Sequence, residues 1–330
     1  YIIMTDYKTI FGKKIKFQTS DLTMSTATEG ELFYSGTGTE FKVGVNINAW
    51  ASGENMNTAR RSSRGGAGTL TAGLAMAGKT NTAVTNATEE YDGTDWSTGE
   101  NMGTTRYMGG SAGPAPQTAA LYASGYASGV TVATEEYDGT DWSNGGDVNT
   151  ARQSIGAAGT QTAGLVAGGN PGPDYSTSVE EYDGSSWTNV TALPSKRSYL
   201  GGFGIQTAAV FAGGSTQGPA APNTTNTSFL YDGTNWTSAP TMPTAARDAA
   251  GAGVQTSGMI FAGAPTKTRA MSWDGSSWAN LPNLATDSAE RMGAGTSSAA
   301  FAAGGDPAPS TTAATEEYSG TVTLKTVTDS

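Results

Sequence analysis

The sequence predicts an all-β fold built from copies of one short unit, and two features of the chain support this prediction. Six tryptophans recur at intervals of 42 to 49 residues along the 330-residue chain, and each lies in a similar phrase. They are Trp50, Trp96, Trp142, Trp187, Trp236 and Trp278. Most of these phrases also contain a glycine-rich stretch, and a tyrosine before an Asp-Gly pair. A period of roughly 40–50 residues is typical of propellers and solenoids, so we predict a six-bladed β-propeller.

The third copy of the unit, from Arg152 to Trp187, shows how one blade is predicted to form. Small and apolar residues alternate in short runs, and Asp183-Gly184 is a strong hairpin signal before the tryptophan. The predicted strands are 154–159, 163–169, 178–182 and the segment that carries Trp187. Four short antiparallel strands make one blade. Because one blade cannot bury its own apolar faces, we expect the copies to close into a ring.

The two ends of the repeat region are complementary. The last copy, which begins at Arg291, reaches Tyr318 but has no tryptophan after it, whereas Trp50 has no arginine or glycine doublet before it. We therefore expect Val43–Ala51 to supply the outer strand of the last blade, which leaves no open sheet edge. Thr321–Val327 is the alternative outer strand. We favour the Trp50 strand because it carries the tryptophan of the repeat.

Two faces of the predicted ring differ in their loops. The turns between the first and second strands, and between the third and fourth, are short and alike from copy to copy; we call their side the constant face. The loops between the second and third strands, and the connections between blades, lie on the variable face. Their inserts differ in length and sequence between copies. Because loops on a rigid scaffold commonly carry binding sites, we expect binding at the variable face.

An arginine opens each copy and should enter the ring from the variable face. The six are Arg60, Arg106, Arg152, Arg197, Arg247 and Arg291. A ring of guanidinium groups could hold an anionic ligand such as an acidic sugar. Repetition in every blade instead favours a structural role, for example ion pairs with the repeated Glu-Glu sequence. Adjacent residues on a strand point to opposite faces, so the two glutamates cannot flank one bond as glycosidase carboxylates do.

The residues that follow the arginines are not repeated, and we expect them to surround the channel. Tyrosines and polar side chains are suited to sugars because they stack and hydrogen-bond. The predicted ligand-lining residues are Arg61, Tyr107, Gln153, Ser198, Asp248 and Met292, joined by Tyr126, Asp174, Tyr175 and Tyr199.

Composition excludes several functional classes. The chain has a net charge of −11 and contains no histidine and no cysteine. The negative charge disfavours nucleic-acid binding, and the missing residue types exclude the usual serine and cysteine triads and the common zinc and copper ligands. We predict no catalytic residues, no metal and no cofactor. An alternative is a glycan hydrolase or lyase that uses carboxylates such as Asp174 and Asp248, and a further alternative is a structural, protein-docking propeller.

Arginine, a glycine doublet, tyrosine and tryptophan, recurring in register over residues 43–320, resemble the kelch repeat. The near-identical, low-complexity copies resemble kelch-type proteins in the fibres and appendages of tailed bacteriophages, especially marine ones. The phrase Gly30-Glu31-Leu32-Phe33-Tyr34 also resembles a segment of phage fibre proteins. This resemblance implies a virion surface protein that recognises a host-surface glycan or protein during host attachment.

The same resemblance divides the chain into two parts. Residues 1–42 are expected to attach to other virion proteins, and residues 43–330 to form the propeller. The resemblance also implies an extracellular location on the virion surface. No apolar run is long enough for a signal peptide or a membrane span, so we expect neither. Whether the chain forms a homo-oligomer stays open, since residues 1–42 show no heptad pattern.

Overall fold

The fold is a six-bladed β-propeller, which confirms the predicted fold class. The computed structural model describes residues 7–10, 13–18, 32–35, 40–61, 65–113, 115–218 and 223–326. Among these residues, no helix is both long and apolar enough to cross a membrane. The strands that precede the first complete blade are β1 (Tyr7–Ile10), β2 (Lys13–Gln18), β3 (Leu32–Ser35) and β4 (Glu40–Gly53).

Blades 1 to 5 are four-stranded antiparallel sheets. Blade 1 contains β5 (Gly66–Thr69), β6 (Ala72–Met76), β7 (Thr88–Tyr91) and β8 (Trp96–Thr98). Blade 2 contains β9 (Gly110–Ser111), β10 (Ala120–Ala123), β11 (Thr134–Tyr137) and β12 (Trp142–Asn144). Blade 3 contains β13 (Gly156–Thr160), β14 (Ala163–Ala167), β15 (Val179–Tyr182) and β16 (Trp187–Asn189). Blade 4 contains β17 (Gly201–Ile205), β18 (Ala208–Ala212), β19 (Ser228–Tyr231) and β20 (Trp236–Ala239). Blade 5 contains β21 (Ala250–Val254), β22 (Ser257–Phe261), β23 (Ala270–Trp273) and β24 (Trp278–Leu281).

The sixth blade takes strands from both ends of the repeat region. It contains β25 (Met292–Gly295), β26 (Ala299–Ala303) and β27 (Thr315–Thr326), and the strand order in its sheet is β1-β2-β3-β4-β27-β26-β25. The strand that carries Trp50 therefore occupies the place of a fourth strand. Residues 321–326 continue the third strand rather than form a fourth one, and Val327 lies outside the described residues.

The described chain divides into two compact units. One is residues 50–318, and the other combines the described parts of residues 1–49 and 319–330. In the second unit, β2 pairs with β3 in parallel and β3 pairs with β4 antiparallel. The predicted boundary at residue 43 and the attachment role of residues 1–42 stay predictions.

Small residues on the first strand of each blade allow the blades to meet at the axis. A Cβ atom on Gly202 would lie 2.4 Å from the carbonyl oxygen of Ala157, and one on Gly251 would lie 2.4 Å from that of Gly202. Any larger side chain would push neighbouring blades apart. The cavity that remains at the axis, lined by residues such as Ser111 and Gly293, is about 10 Å³, the space of one water molecule. At the level of these strands the channel therefore has no room for a ligand larger than water.

Aromatic residues of the third and fourth strands pack within and between blades. In blade 3 the rings of Tyr182 and Trp187 lie 4.9 Å apart, and both residues are buried. The Trp187 indole N–H donates to Thr134 Oγ1 of blade 2 at 3.0 Å, and Trp142 donates likewise to Thr88 of blade 1. Each such tryptophan thus fixes its own blade and the preceding one.

Glutamines of the constant-face turns link neighbouring blades. The Gln161 side-chain amide donates to the carbonyl oxygen of Tyr137 at 2.8 Å, and Gln206 donates to that of Tyr182 at 2.8 Å. The sequence showed these Gln-Thr turns only as polar turns. Their contacts join each turn to the two middle strands of the preceding blade.

The Asp-Gly pairs form tight hairpin turns, as the sequence predicts. Asp183 Oδ1 accepts the backbone N–H groups of Ser185 and Ser186 at 2.9 and 2.8 Å, and Gly184 has φ of +90°. The Ser186 amide and then the Ser185 hydroxyl and amide lower the pKa of Asp183 to about 2.

Candidate functional site

Four of the six arginines form buried ion pairs inside their own blades. Arg152 Nη2 lies 2.9 Å from Glu180 Oε1, and Arg106 Nη2 lies 3.2 Å from Glu135 Oε1. Arg60 pairs with Glu89 in the same way. These guanidinium groups have no exposed surface. The arginines of these blades therefore hold the scaffold together.

The two glutamates of each Glu-Glu pair have different partners. Glu180 also accepts the backbone N–H of Asn149 at 2.6 Å, which fixes the connection that enters the blade. The second glutamate of the preceding blade, Glu136, accepts the hydroxyl of Tyr182 at 2.5 Å. Burial, strengthened by this hydrogen bond, raises the pKa of Tyr182 to about 12. The carboxylates point apart, as strand alternation requires.

Two of the predicted arginines occupy other backbone positions than expected. The glycine at the end of a second strand donates its N–H to the carbonyl of the next blade's repeat arginine, as Gly169 does to Arg197. Gly214 donates instead to Ala246, so Arg247 follows the repeat position by one residue. Arg291 also follows its repeat position, yet its guanidinium reaches Glu316 and completes the fourth buried pair. The sequence-based register was wrong at these two sites because an arginine lies nearby in both.

Arg197 stands at the repeat position without a carboxylate. Phe229 of β19 replaces the paired glutamate, and the guanidinium carbon lies 5.2 Å from the centre of its ring. Pro194 occupies the position of the amide donor, three residues before the arginine. Arg197 is 3% exposed, and burial lowers its pKa. Its guanidinium donates to Ser195 Oγ at 3.0 Å.

The mouth of the channel on the variable face is built from six residue pairs and five left-handed residues. Each blade pairs one residue of its entering connection with one residue of its second-to-third loop. These pairs are Arg61–Lys79, Tyr107–Tyr126, Gln153–Asn170, Ser198–Ser215, Arg247–Ala264 and Ala289–Asp306. The left-handed residues, with φ between 56° and 62°, are Met108, Ser154, Tyr199, Asp248 and Glu290.

Backbone hydrogen bonds connect the left-handed residues around the axis. The N–H of Ser154 donates to the carbonyl of Met108 at 2.6 Å, that of Tyr199 to Ser154 at 2.8 Å, and that of Asp248 to Tyr199 at 3.1 Å. Left-handed backbone is costly for residues other than glycine and is concentrated at functional sites. Because the left-handed conformation recurs in five blades, we assign it a structural role, namely to join neighbouring blades through these backbone hydrogen bonds. It also places a different side chain from each blade at the mouth.

Charged side chains converge on one side of the mouth. Arg61 forms an ion pair with Asp306, and its Nε lies 3.6 Å from Glu290 Oε2. Its side chain is 26% exposed. Arg247, two blades away around the ring, lies 3.6 Å from Asp248 Oδ2 through its Nε. The mouth therefore contains two arginines, and carboxylates accompany both.

Two tyrosine pairs form the aromatic part of the mouth. The rings of Tyr107 and Tyr126 lie 6.0 Å apart edge to face, and so do those of Tyr175 and Tyr199. Tyr107 is within electrostatic range of Tyr199, which brings the two pairs together, and Lys79 lies 5.6 Å from the centre of the Tyr107 ring. Burial raises the pKa values of Tyr107 and Tyr175, so both phenols stay protonated at neutral pH.

The predicted ligand-lining residues differ in where the structure places them. Gln153 and Ser198 take part in the mouth, but Ser198 is fully buried and donates to the Ser154 carbonyl at 3.2 Å. Asp174 is exposed and forms an ion pair with Lys196, in the same loop as Tyr175. Tyr175 and Asp248 are also buried. Met292 lies away from the mouth, in β25, with no exposed surface. Its place at the mouth belongs to Ala289.

Four charged residues of the mouth were missed from the sequence: Lys79, Arg247 as a mouth residue, Glu290 and Asp306. Counting from the buried apolar residue four positions before the repeat arginine would have found Arg247. That residue is Met56, Met102, Val148, Leu193, Met242 or Leu284, and all six are buried. Lys79 and Asp306 directly follow the second residue of the glycine pair, as Tyr126 does, so counting from that pair would have found them too.

Charge is divided between the two faces. Every described lysine and arginine of residues 50–318 lies in a connection of the variable face. The hairpin turns of the constant face carry exposed aspartates, namely Asp92, Asp95, Asp138, Asp141, Asp183, Asp232 and Asp274. The variable face also carries exposed carboxylates, among them Glu100, Asp147, Asp174 and Asp287. An anionic ligand is therefore repelled from the constant face and meets charges of both signs on the variable face.

The mouth offers hydrogen-bond donors, protonated phenols and aromatic surface. Within the described residues, no three Asp or Glu side chains are grouped so that they could hold a metal ion. Such a surface can bind a polar ligand by stacking and hydrogen bonding. No protein-family model and no curated protein matches the chain.

Proposed function

We propose that the chain is a non-enzymatic adhesin of a virion surface, whose variable face recognises a host-surface glycan or protein. The observation that carries the proposal is the mouth, where the six blades present different side chains on an otherwise repeated scaffold. Side chains of the repeat, such as Arg152 and Glu180, are used in buried contacts, whereas Tyr107 and Arg247 are partly exposed.

The kelch-type repeat and the phage fibre origin belong to the same proposal and rest on the sequence resemblance. In this view residues 1–42 attach the chain to other virion proteins, and the acidic constant face is turned away from the host.

A glycan array with the full chain tests this proposal against its two alternatives. Saturable binding to surface glycans, with no new reducing ends after prolonged incubation, is the expected result. Release of shortened products would establish a hydrolase or lyase instead. Absence of glycan binding, together with a protein that co-purifies from the virion, would favour a docking propeller.

A further inference from the structure

Blade 5 has lost the buried ion pair of the repeat, and its arginine lies at the mouth instead. Ala246 occupies the arginine position, and Met271 occupies the position of the paired glutamate in β23. Pro243 stands where Asn149 of blade 3 donates its amide. The arginine and the glutamate are thus replaced by uncharged residues, and the amide donor is replaced by a proline, which has no backbone N–H. Arg247 is not needed for the scaffold.

Arg61 provides the comparison, because it occupies the same mouth position in blade 1. Its guanidinium is held by Asp306 and lies close to Glu290. Arg247 approaches only Asp248 among the described carboxylates, at 3.6 Å from Nε, which is longer than a hydrogen bond. Within the described part of the chain, no hydrogen bond starts from the Arg247 guanidinium. Its side chain is 31% exposed, so its N–H groups are accessible to a ligand.

Two tyrosines lie near Arg247, and the first of them, Tyr175, is buried. Tyr175 lies within the electrostatic range of Arg247, and the Tyr175 ring contacts Tyr199 edge to face. Tyr199 is partly exposed, and the N–H of the neighbouring Asp248 donates to the Tyr199 carbonyl at 3.1 Å. A guanidinium fork matches the two oxygens of a carboxylate, and a tyrosine ring packs against the apolar face of a sugar.

We infer that Arg247 binds the acidic group of an anionic sugar, a carboxylate or a sulfate, and that Tyr199 contacts the ring of that sugar. This inference rests on the proposed function and specifies its ligand class. The distribution of cations is consistent with it, because every described lysine and arginine of residues 50–318 lies on the variable face and the constant-face turns carry aspartates.

The test compares oligosaccharides that differ only in charge. The probes are a uronic-acid oligosaccharide, the same oligosaccharide with its carboxyl groups reduced to alcohols, and a sulfated form of the reduced one. Full-chain variants Arg247→Gln and Lys196→Gln are measured beside the wild type by calorimetry. Lys196 is the matched control, because it is a cation of the same face with 57% of its side chain exposed.

We expect the wild type to bind an acidic probe more tightly than the reduced one, with weaker binding at high salt. Arg247→Gln should lower the affinity for the acidic probe by about tenfold to a hundredfold, as expected for a lost hydrogen bond to a charged group. Binding of the reduced probe should not change, and Lys196→Gln should behave like the wild type. Preference for the carboxylate or the sulfate probe identifies the acidic group.

Two results would overturn the inference. Equal affinity of the wild type for acidic and reduced probes would refute it while leaving the glycan-binding proposal intact. Unchanged acidic preference in Arg247→Gln would assign that preference to another residue. If the wild type binds none of the glycans on the array, glycan recognition itself fails, and this inference fails with it.

Discussion

The indole ring of Trp50 lies 5.3 Å from the phenol ring of Tyr318. The equivalent pair in blade 4, Tyr231 and Trp236, lies 4.7 Å apart. Trp50 thus supplies the tryptophan that the last copy of the repeat lacks. Its ring also lies 5.1 Å from that of Phe261 in blade 5. A single residue near the start of the repeat region therefore joins two blades at its end.

Substituting Trp50→Ala should lower the free energy of unfolding by about 3 kcal/mol, the lower end of the range for a packed aromatic side chain. Hydrogen exchange should also become faster in β26 and β27, because the outer strand of that blade loses its anchor. Trp278→Ala is the matched control, since Trp278 is half-buried and lies 5.3 Å from Trp273. Its effect should stay within blades 4 and 5, because Trp278 also contacts Phe203 of blade 4. Unchanged exchange in blade 6 of the Trp50 variant would speak against closure by this strand.

Blade 5 shows how the buried pair of blade 3 can be replaced. Arg152→Ala or Glu180→Met alone should destabilise the protein by about 3–5 kcal/mol, because each leaves an uncompensated buried charge. The double variant reproduces Ala246 and Met271 of blade 5 and should lose less stability than either single variant. Denaturant unfolding of the four proteins gives the coupling energy. Additive losses would mean that the pair is not a unit.

Arg197 should respond differently from Arg152. Its guanidinium is buried against Phe229 without a carboxylate, so Arg197→Met removes a buried charge that costs desolvation. We expect a change in unfolding free energy of less than about 1 kcal/mol, or a gain, whereas Arg152→Met should cost about 3 kcal/mol. Thermal and denaturant unfolding measure both. Equal losses would show that the Arg197 guanidinium contributes as much as a paired one.

Alkaline pH should unfold the ring through its buried tyrosines. Burial and the bond to Glu136 raise the pKa of Tyr182 to about 12, and burial raises that of Tyr318 to about 12, against about 10 in an unfolded chain. The folded state therefore keeps protons that the unfolded state loses, and stability should fall as pH rises from about 10 to about 12. Absorbance of tyrosinate at 295 nm and circular dichroism should change together. Tyrosine ionisation near pH 10 with an intact fold would contradict this.

The fold followed from the sequence because the repeat phrases carry their own strand and turn signals. The Trp187 strand and the Asp183 turn have local causes, so a single sequence suffices to predict them. The buried Arg–Glu pairs were less certain, since an arginine ring could equally have held a ligand. The structure distinguishes the two because the guanidinium of Arg152 has no exposed surface.

The mouth could be predicted only in part. Tyr107 and Tyr126 were expected there because they differ between copies, but their contact depends on loops of unequal length. The register around Arg247 and Arg291 was lost because the nearest arginine was taken as the repeat arginine. The closed ring determines which residues face each other across the axis, so the sequence of a single copy cannot predict those contacts.

The most direct test of the account is whether binding depends on the mouth and not on the constant face. The Tyr107→Ala/Asp248→Asn double variant changes the mouth, and Asp141→Asn/Ile205→Ala changes exposed residues of the constant face; Ile205 is 44% exposed. We expect the mouth variant to bind the strongest array ligand at least about tenfold more weakly, as for the loss of a central contact, and the constant-face variant to bind like the wild type. Full affinity in the mouth variant, or loss confined to the constant-face variant, would contradict the account.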